Sequence, residues 1–403
     1  MVGAVIAQAI PILVSPIMTR LYSPNDFGLI ALFTSIVSIF TAISTGRYES
    51  TVMLPVKDQD ALTLLVLTLL VTLLAAALSY IAILLFSDKL VGLVDHPDFS
   101  FWIYAIPIFV IFTAFYQPLN YWLNRKKLYR VMSSRSIIQS ISGSLTSLGC
   151  GFGGLTRIGL FVGSFVGQSA SLGMVGWQLW KEEKHGIKAV NVNALKQRAK
   201  EYKDFPLYAA PTSLLEVAYL QAPILYITYI YGAFYVGLFS LTMRVLSLPA
   251  TFIGNAVGQV YYQRIATIRH EKPDALTRFI LKSAGYLALI VAAPIMLIGL
   301  SGSFLFSFVF GTQWQTAGVF AQIMAVAIGL QVVVSPLSTI MSVSGNVKLV
   351  SKWKAICFCT TFITLYIASK YSIITFMIIY SGHEIIRYLI YFYLIIYASK
   401  RWR

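Results

Sequence analysis

The chain has 403 residues, 58% of them hydrophobic and only 11% charged, at a mean hydropathy of +0.75; soluble domains average about 25% charged residues. That excludes an ordinary water-soluble enzyme. Each membrane-crossing helix needs about 20 apolar residues, so the chain has room for roughly twelve spans, and its formal charge of +16 must be located before it is interpreted.

In chain order, apolar stretches fall near 2 to 19, 28 to 54, 61 to 86, 100 to 121, 136 to 155, 158 to 180, 206 to 230, 236 to 260, 279 to 300, 317 to 343, 353 to 369 and 371 to 397, which predicts twelve spanning helices. The first has no basic segment ahead of it and no small-residue cleavage site behind it, so it reads as a span and not a signal peptide. Before the second, Ser23, Pro24 and Asp26 have the spacing of a capping box. The longest polar stretch, 181 to 204, separates spans six and seven; its end, from Asn193 through Leu195, Ala199 and Tyr202, reads either as an interfacial helix or as a solvated linker. The expected fold class is therefore all-α, a polytopic membrane protein with six-helix lobes over 1–180 and 206–403 joined by a cytoplasmic linker over 181–205.

Orientation follows from the basic residues. Of 31 Lys and Arg, 24 fall in the loops of one side and the tail, four (Arg20, Lys89, Arg157, Lys370) on the other side, and three (Arg47, Arg244, Arg387) inside spans. The rich side is cytoplasmic by the positive-inside rule, which places both termini there. Eight acidic residues lie on that side, four opposite and three in spans, so the whole +16 is cytoplasmic. Topology and anionic headgroups account for such a charge, and it implies no nucleic acid.

The two halves also repeat. Tyr22, Gly28-Leu29 and Leu32 match Tyr231, Gly237-Leu238 and Leu241; Asp60 to Thr63 matches Asp274 to Thr277; Pro118-Leu119 matches Pro336-Leu337; Lys127-Leu128 matches Lys348-Leu349. The offset rises steadily and each pair sits alike relative to the spans, which predicts two homologous lobes. An even number of spans per lobe sends both into the membrane in the same direction, so a pseudo-twofold along the membrane normal is expected, with the site between the lobes.

Charges inside spans are costly and mark cavities or partners. Arg47 and Glu49 interrupt span two; two apart on a helix, they are expected to point to different sides and not to pair, with Ser44, Arg47 and Thr51 on one face; alternatively the helix stops near Gly46 and both charges sit in the cytoplasmic headgroups. In span eight, Ser240, Arg244, Ser247, Thr251 and Asn255 follow i, i+4, i+7, i+11, i+15, a polar stripe suited to a wet cavity or to hydrogen-bonded packing. Glu216 shares a face of span seven with Thr212 and Tyr219, as a proton-titrating carboxylate or as a structural partner for an Arg. In span twelve, Glu384 and Arg387 have ion-pair spacing beside His383.

Other signals carry no chemistry. The run Gly149, Gly151, Gly154 has no strand before it, so no dinucleotide site follows. Gly159, Gly163 and Gly167 read as close helix packing. Tyr226, Tyr229, Tyr231, Phe234 and Tyr235 read as an interfacial belt. The three cysteines and four histidines form neither a disulfide framework nor a metal cluster, so no cofactor, no metal and no catalytic residue is expected.

The runs PIMTRLYSPNDFG at 16–28, GRYESTVMLPVKDQDAL at 46–62, MRVLSLP at 243–249 and FGTQW at 310–314 resemble the polysaccharide transporter family, the Wzx-type O-antigen flippases of the multidrug/oligosaccharidyl-lipid/polysaccharide exporter superfamily. The resemblance implies a V-shaped, MATE-like fold in the cell inner membrane. It implies movement of undecaprenyl-diphosphate-linked oligosaccharide to the periplasmic leaflet by alternating access coupled to an ion gradient, with a polysaccharide polymerase and a chain-length regulator as candidate partners. Arg47 and Arg244 fall on family motifs and are expected at the diphosphate, where an Arg fork fits. Arg20 is expected at an outer gate. Glu216 matches no family motif and stays an ion-coupling candidate.

Two other classes compete. A membrane-embedded glycan polymerase or ligase needs an extramembrane platform and a nucleophile with a base, and the short outer loops here present neither. A small-molecule efflux transporter of the same fold is separable by whether loss of the protein traps lipid-linked glycan or only alters drug sensitivity.

Overall fold

The structure, a computed structural model, describes residues 2–92, 99–247, 273–338, 341 and 347–400. These are helical nearly throughout, with no strand among them, as lipid requires: a spanning backbone has no water to bond and must satisfy its own polar groups. The helices are α1 (Val2–Leu21), α2 (Pro24–Ser44), α3 (Asp58–Gly92), the short α4 (Phe99–Ile103), α5 (Ile106–Arg125), α6 (Tyr129–Phe152), α7 (Thr156–Lys188), α8 (Val192–Glu201) and α9 (Ala210–Tyr231). They continue with α10 (Ala233–Ser247), α11 (Pro273–Phe310), α12 (Gln315–Leu337), α13 (Val347–Ala368) and α14 (Ile373–Lys400).

Each of the twelve apolar stretches is met by one of these helices. Eight are long and apolar enough to cross a membrane, counted among the described residues. α6 and α13 have the length, 24 and 22 residues, but open on basic residues such as Arg130 and Lys352. Two expected boundaries are corrected. Span two stops at Ser44 instead of running to 54, and residues 301–310, expected in an outer loop, are the last turns of α11.

The chain divides into two compact units, Met1–Val236 and Gly237–Arg403. That division falls one helix later than the polar stretch because α9 packs along α2. The polar stretch itself is not a solvated linker. α7 runs on to Lys188, and α8 starts on Asn191, whose side chain accepts from the Ala194 N–H at 2.7 Å. Leu195, Ala199 and Tyr202 then lay the apolar edge of α8 against a core that includes Leu62, Leu65 and Trp122, while Arg198 reaches Asp60 on α3 at 2.6 Å.

In the first unit, Phe33 stands edge-on to Phe109 and Phe161, and Trp102 stacks on Phe161 at 4.2 Å, a cluster with the geometry aromatic pairs prefer. The link between α1 and α2 is tied down by sequence-local and tertiary bonds together. Ser23 and Asp26 form the expected capping box, and buried Tyr22 donates to the Ser147 carbonyl of α6 at 2.6 Å. α6 and α7 meet on glycines: a Cβ on Gly163 would strike the Ser147 hydroxyl and come within 2.7 Å of the Gly143 carbonyl.

In the second unit α12 is the central helix, with Trp314 beside its start and Phe320, Met324 and Leu337 buried. α10 joins it through Thr242, which donates to the Ala317 carbonyl at 2.8 Å, and α14 through Ser381, which donates to Ile323 at 2.8 Å. The repeated residues occupy matching places in the two units. Gly28, Leu29 and Leu32 on α2, and Gly237, Leu238 and Leu241 on α10, are all buried just after a tight link. Leu62 and Leu276 are buried in the first turns of α3 and α11, and Leu119 and Leu337 near the ends of α5 and α12.

Candidate functional site

The expectation that Arg47 and Glu49 do not pair is overturned. Gly46 and Arg47 both take left-handed backbone, with φ of 57° and 60°, and the chain resumes as a 3-10 turn over Tyr48–Met53. Residues two apart diverge only in an unbroken helix. Here the helical phase is lost at the two left-handed residues, and Arg47 Nη1 lies 3.2 Å from Glu49 Oε1. For the same reason the face that Ser44, Arg47 and Thr51 were expected to share does not exist.

A left-handed arginine costs on the order of 1 kcal/mol, and several bonds hold it. The Arg47 N–H donates to Thr45 Oγ1 at 3.2 Å, Ser50 Oγ donates to the Arg47 carbonyl at 2.8 Å, and the Tyr48 hydroxyl donates to Ala199 of α8 at 3.1 Å. The Glu49 side chain is 1% exposed and that of Arg47 37%. Glu49 is thus the buried charge and Arg47 its counter-charge, with part of the guanidinium fork still open. Below the turn, Arg125 of α5 gathers the segment: it donates to the carbonyls of Pro55 at 2.7 Å and Val56 at 3.1 Å and pairs with Asp58 at 2.8 Å. Nothing in the sequence distinguished Arg125 from the basic residues around it.

On α10 the packed face carries Leu238, Leu241, Thr242 and Leu246, all buried. Ser240 and Ser247 are half-buried and Arg244 is exposed, so the described part of the polar stripe lies off that packed face. Ser240 donates to the Gly237 carbonyl at 2.9 Å, and Ser247 to that of Arg244 at 3.3 Å. Thr251 and Asn255 lie outside the described residues. Arg20 is exposed in the last turn of α1, where a cation suits the helix dipole. Glu216 is half-buried on α9. The structure therefore brings Arg47 to Glu49, and Ser240, Arg244 and Ser247 to one helix face, while Arg20 and Glu216 stand on other elements.

Two further polar centres lie inside the units. On α14, Glu384 pairs with Arg387, and His383 sits 3.4 Å from Glu384 and 3.1 Å from the Thr360 hydroxyl of α13. In the first unit Arg135, expected in a cytoplasmic loop, is instead the second turn of α6, with its guanidinium 3.3 Å from the centre of the Tyr116 ring. Among the described residues no group of three or more His, Cys, Asp or Glu could hold a metal.

Comparison with known proteins gives matches of three kinds. Residues 17–318 match the profile of a family described as polysaccharide biosynthesis protein. A teichuronic acid biosynthesis protein of Bacillus subtilis (strain 168), TuaB, is 20% identical over 326 residues, which cover 80% of this chain and 66% of that protein, just under two-thirds of its length. Among solved structures, an inward-facing multidrug resistance transporter of the MATE family, within the MOP superfamily, superposes with a TM-score of 0.67 at 13% identity over 98% of this chain and 96% of that one.

Proposed function

The chain belongs to the polysaccharide biosynthesis protein family and is a multi-pass helical membrane protein of MATE-like fold; from these we propose that it is a flippase for undecaprenyl-diphosphate-linked oligosaccharide. It carries an O-antigen or another surface-polysaccharide repeat unit from the cytoplasmic to the periplasmic leaflet of the inner membrane by alternating access. The observation that carries this reading is the coincidence of the two matches: a polysaccharide-making family over residues 17–318, on a chain folded like an exporter along nearly all its length.

In this reading two six-helix lobes, 1–180 and 206–403, are joined by 181–205 and related by a pseudo-twofold along the membrane normal, with both termini cytoplasmic. The repeated residues and the sorting of basic side chains support it. Arg47 and Arg244 bind the diphosphate, beside Glu49, Ser240, Ser247, Thr251 and Asn255. Arg20 belongs to the outer gate, and Glu216 is the candidate for ion coupling.

The test is a strain lacking its own flippase. Production of this chain should restore surface polysaccharide and clear lipid-linked glycan from the cytoplasmic leaflet. Altered drug sensitivity with glycan export unchanged would instead identify an efflux transporter.

A further inference from the structure

Among the described residues, most of the cations drawn into the packed parts have acids to answer them. Arg47 has Glu49, Arg125 and Lys126 share Asp58, Arg198 has Asp60 and Glu201, and Arg387 has Glu384. Arg135 does not follow the pattern. Its guanidinium carbon lies over the Tyr116 ring, 3.3 Å from the ring centre, and its Nε is buried with no hydrogen-bond partner. Among the described residues no acid reaches it.

A ring face attracts a cation but accepts none of the in-plane N–H bonds of a guanidinium. The ring contact therefore holds Arg135 in place and leaves its Nε–H unanswered, and a buried charged donor without an acceptor needs a reason. The ring is itself fixed, because the Tyr116 hydroxyl donates to Asn120 Oδ1 at 2.7 Å.

Polar residues extend from the Tyr116 face of α5 onto two further helices. Thr113, Tyr116 and Asn120 recur at i, i+3, i+7 on α5, and Gln139 follows Arg135 at i+4 on α6. From α7, Gln168 accepts from Thr113 Oγ1 at 2.9 Å and donates to Ser164 at 3.2 Å. Arg135 is six residues into α6, about 9 Å along it at the α-helical rise, too deep for a loop cation and close enough to the end to meet a headgroup. A fixed, uncompensated guanidinium beside neutral donors and acceptors is the environment that phosphate oxygens satisfy, through charge-assisted bonds to a planar fork.

We propose that Arg135 of α6, held on Tyr116 of α5, is an anion site of the first unit that takes a phosphate of the lipid-linked diphosphate. This rests on the flippase reading. It assigns the phosphate a cation whose charge is not already neutralised, as that of Arg47 is by Glu49.

The test uses the full chain in nanodiscs, with undecaprenyl diphosphate and phosphatidylglycerol as probes and binding read by microscale thermophoresis. Arg135→Gln should weaken undecaprenyl diphosphate binding tenfold or more and leave phosphatidylglycerol binding and the melting temperature unchanged. Arg130→Gln, on the exposed first turn of the same helix, should change neither. If the Gln variant does not fold, Arg135→Lys keeps charge and stem and should weaken the diphosphate several-fold. Undiminished diphosphate binding in a folded Arg135 variant, or equal losses on both lipids, would overturn the site while leaving the flippase reading standing. Absence of binding by the unaltered chain would remove the reading and the site together.

Discussion

Arg47, proposed above to hold the diphosphate, also answers Glu49. Its pairing with Glu49 means that Arg47→Ala both removes a fork and strands a buried carboxylate that has one unbonded oxygen already. Loss of that contact should cost about 1–3 kcal/mol of stability, so lost export in the single variant would be ambiguous. The double variant Arg47→Ala, Glu49→Gln separates the two effects, because a neutral amide no longer needs the guanidinium. Its melting temperature in detergent should return near that of the unaltered protein, while surface polysaccharide in a complementation strain stays at least tenfold down. Full restoration of polysaccharide by the double variant would make Arg47 only the counter-charge of Glu49.

At the scale of elements, two contacts are informative. The seam of α6 and α7 depends on glycine, since a Cβ on Gly163 meets both the Ser147 hydroxyl and the Gly143 backbone. A backbone carbonyl cannot rotate away as a side chain can, so Gly163→Ala should destabilise by about 1–3 kcal/mol. Gly173→Ala on the same helix, where a Cβ meets nothing within 4 Å, should be neutral or slightly stabilising; equal melting temperatures for the two would disprove the seam. α10 offers a second comparison. In a background lacking Cys150, Cys357 and Cys359, cysteines at Ser240 and Ser247 should react with a small polar maleimide, whereas those at buried Leu241 and Leu246 should not. Protection of all four would mean the stripe is helix packing.

For the whole molecule the sharpest expectation is direction. With 24 basic residues falling by sequence on the side expected to be cytoplasmic and four on the other, a periplasm-active reporter fused after Arg403 should be silent, as should one inserted near Ala189 between α7 and α8. Activity at the C-terminus would refute the even span count. The repeat bears on the same scale: Gly237-Leu238 and Leu241 are buried after a tight link as Gly28-Leu29 and Leu32 are, because a helix that must turn back at once presses its first turn against its neighbour.

Hydropathy and capping act locally or along one dimension, which is why the helix positions, the Ser23–Asp26 cap and the Gly159–Gly167 packing face were legible from the sequence alone. The end of α2 was ambiguous between Gly46 and Leu54, because two left-handed residues in succession leave no trace in apolar periodicity when Val52, Met53 and Leu54 follow. The partners of the interior cations were hidden for a related reason. Arg125 meets Asp58 across 67 residues, and Arg135 meets Tyr116 only because α5 lies beside α6. An arginine on a loop, one neutralised by an acid and one held on a ring differ in which helix packs beside them, and that is decided by tertiary structure.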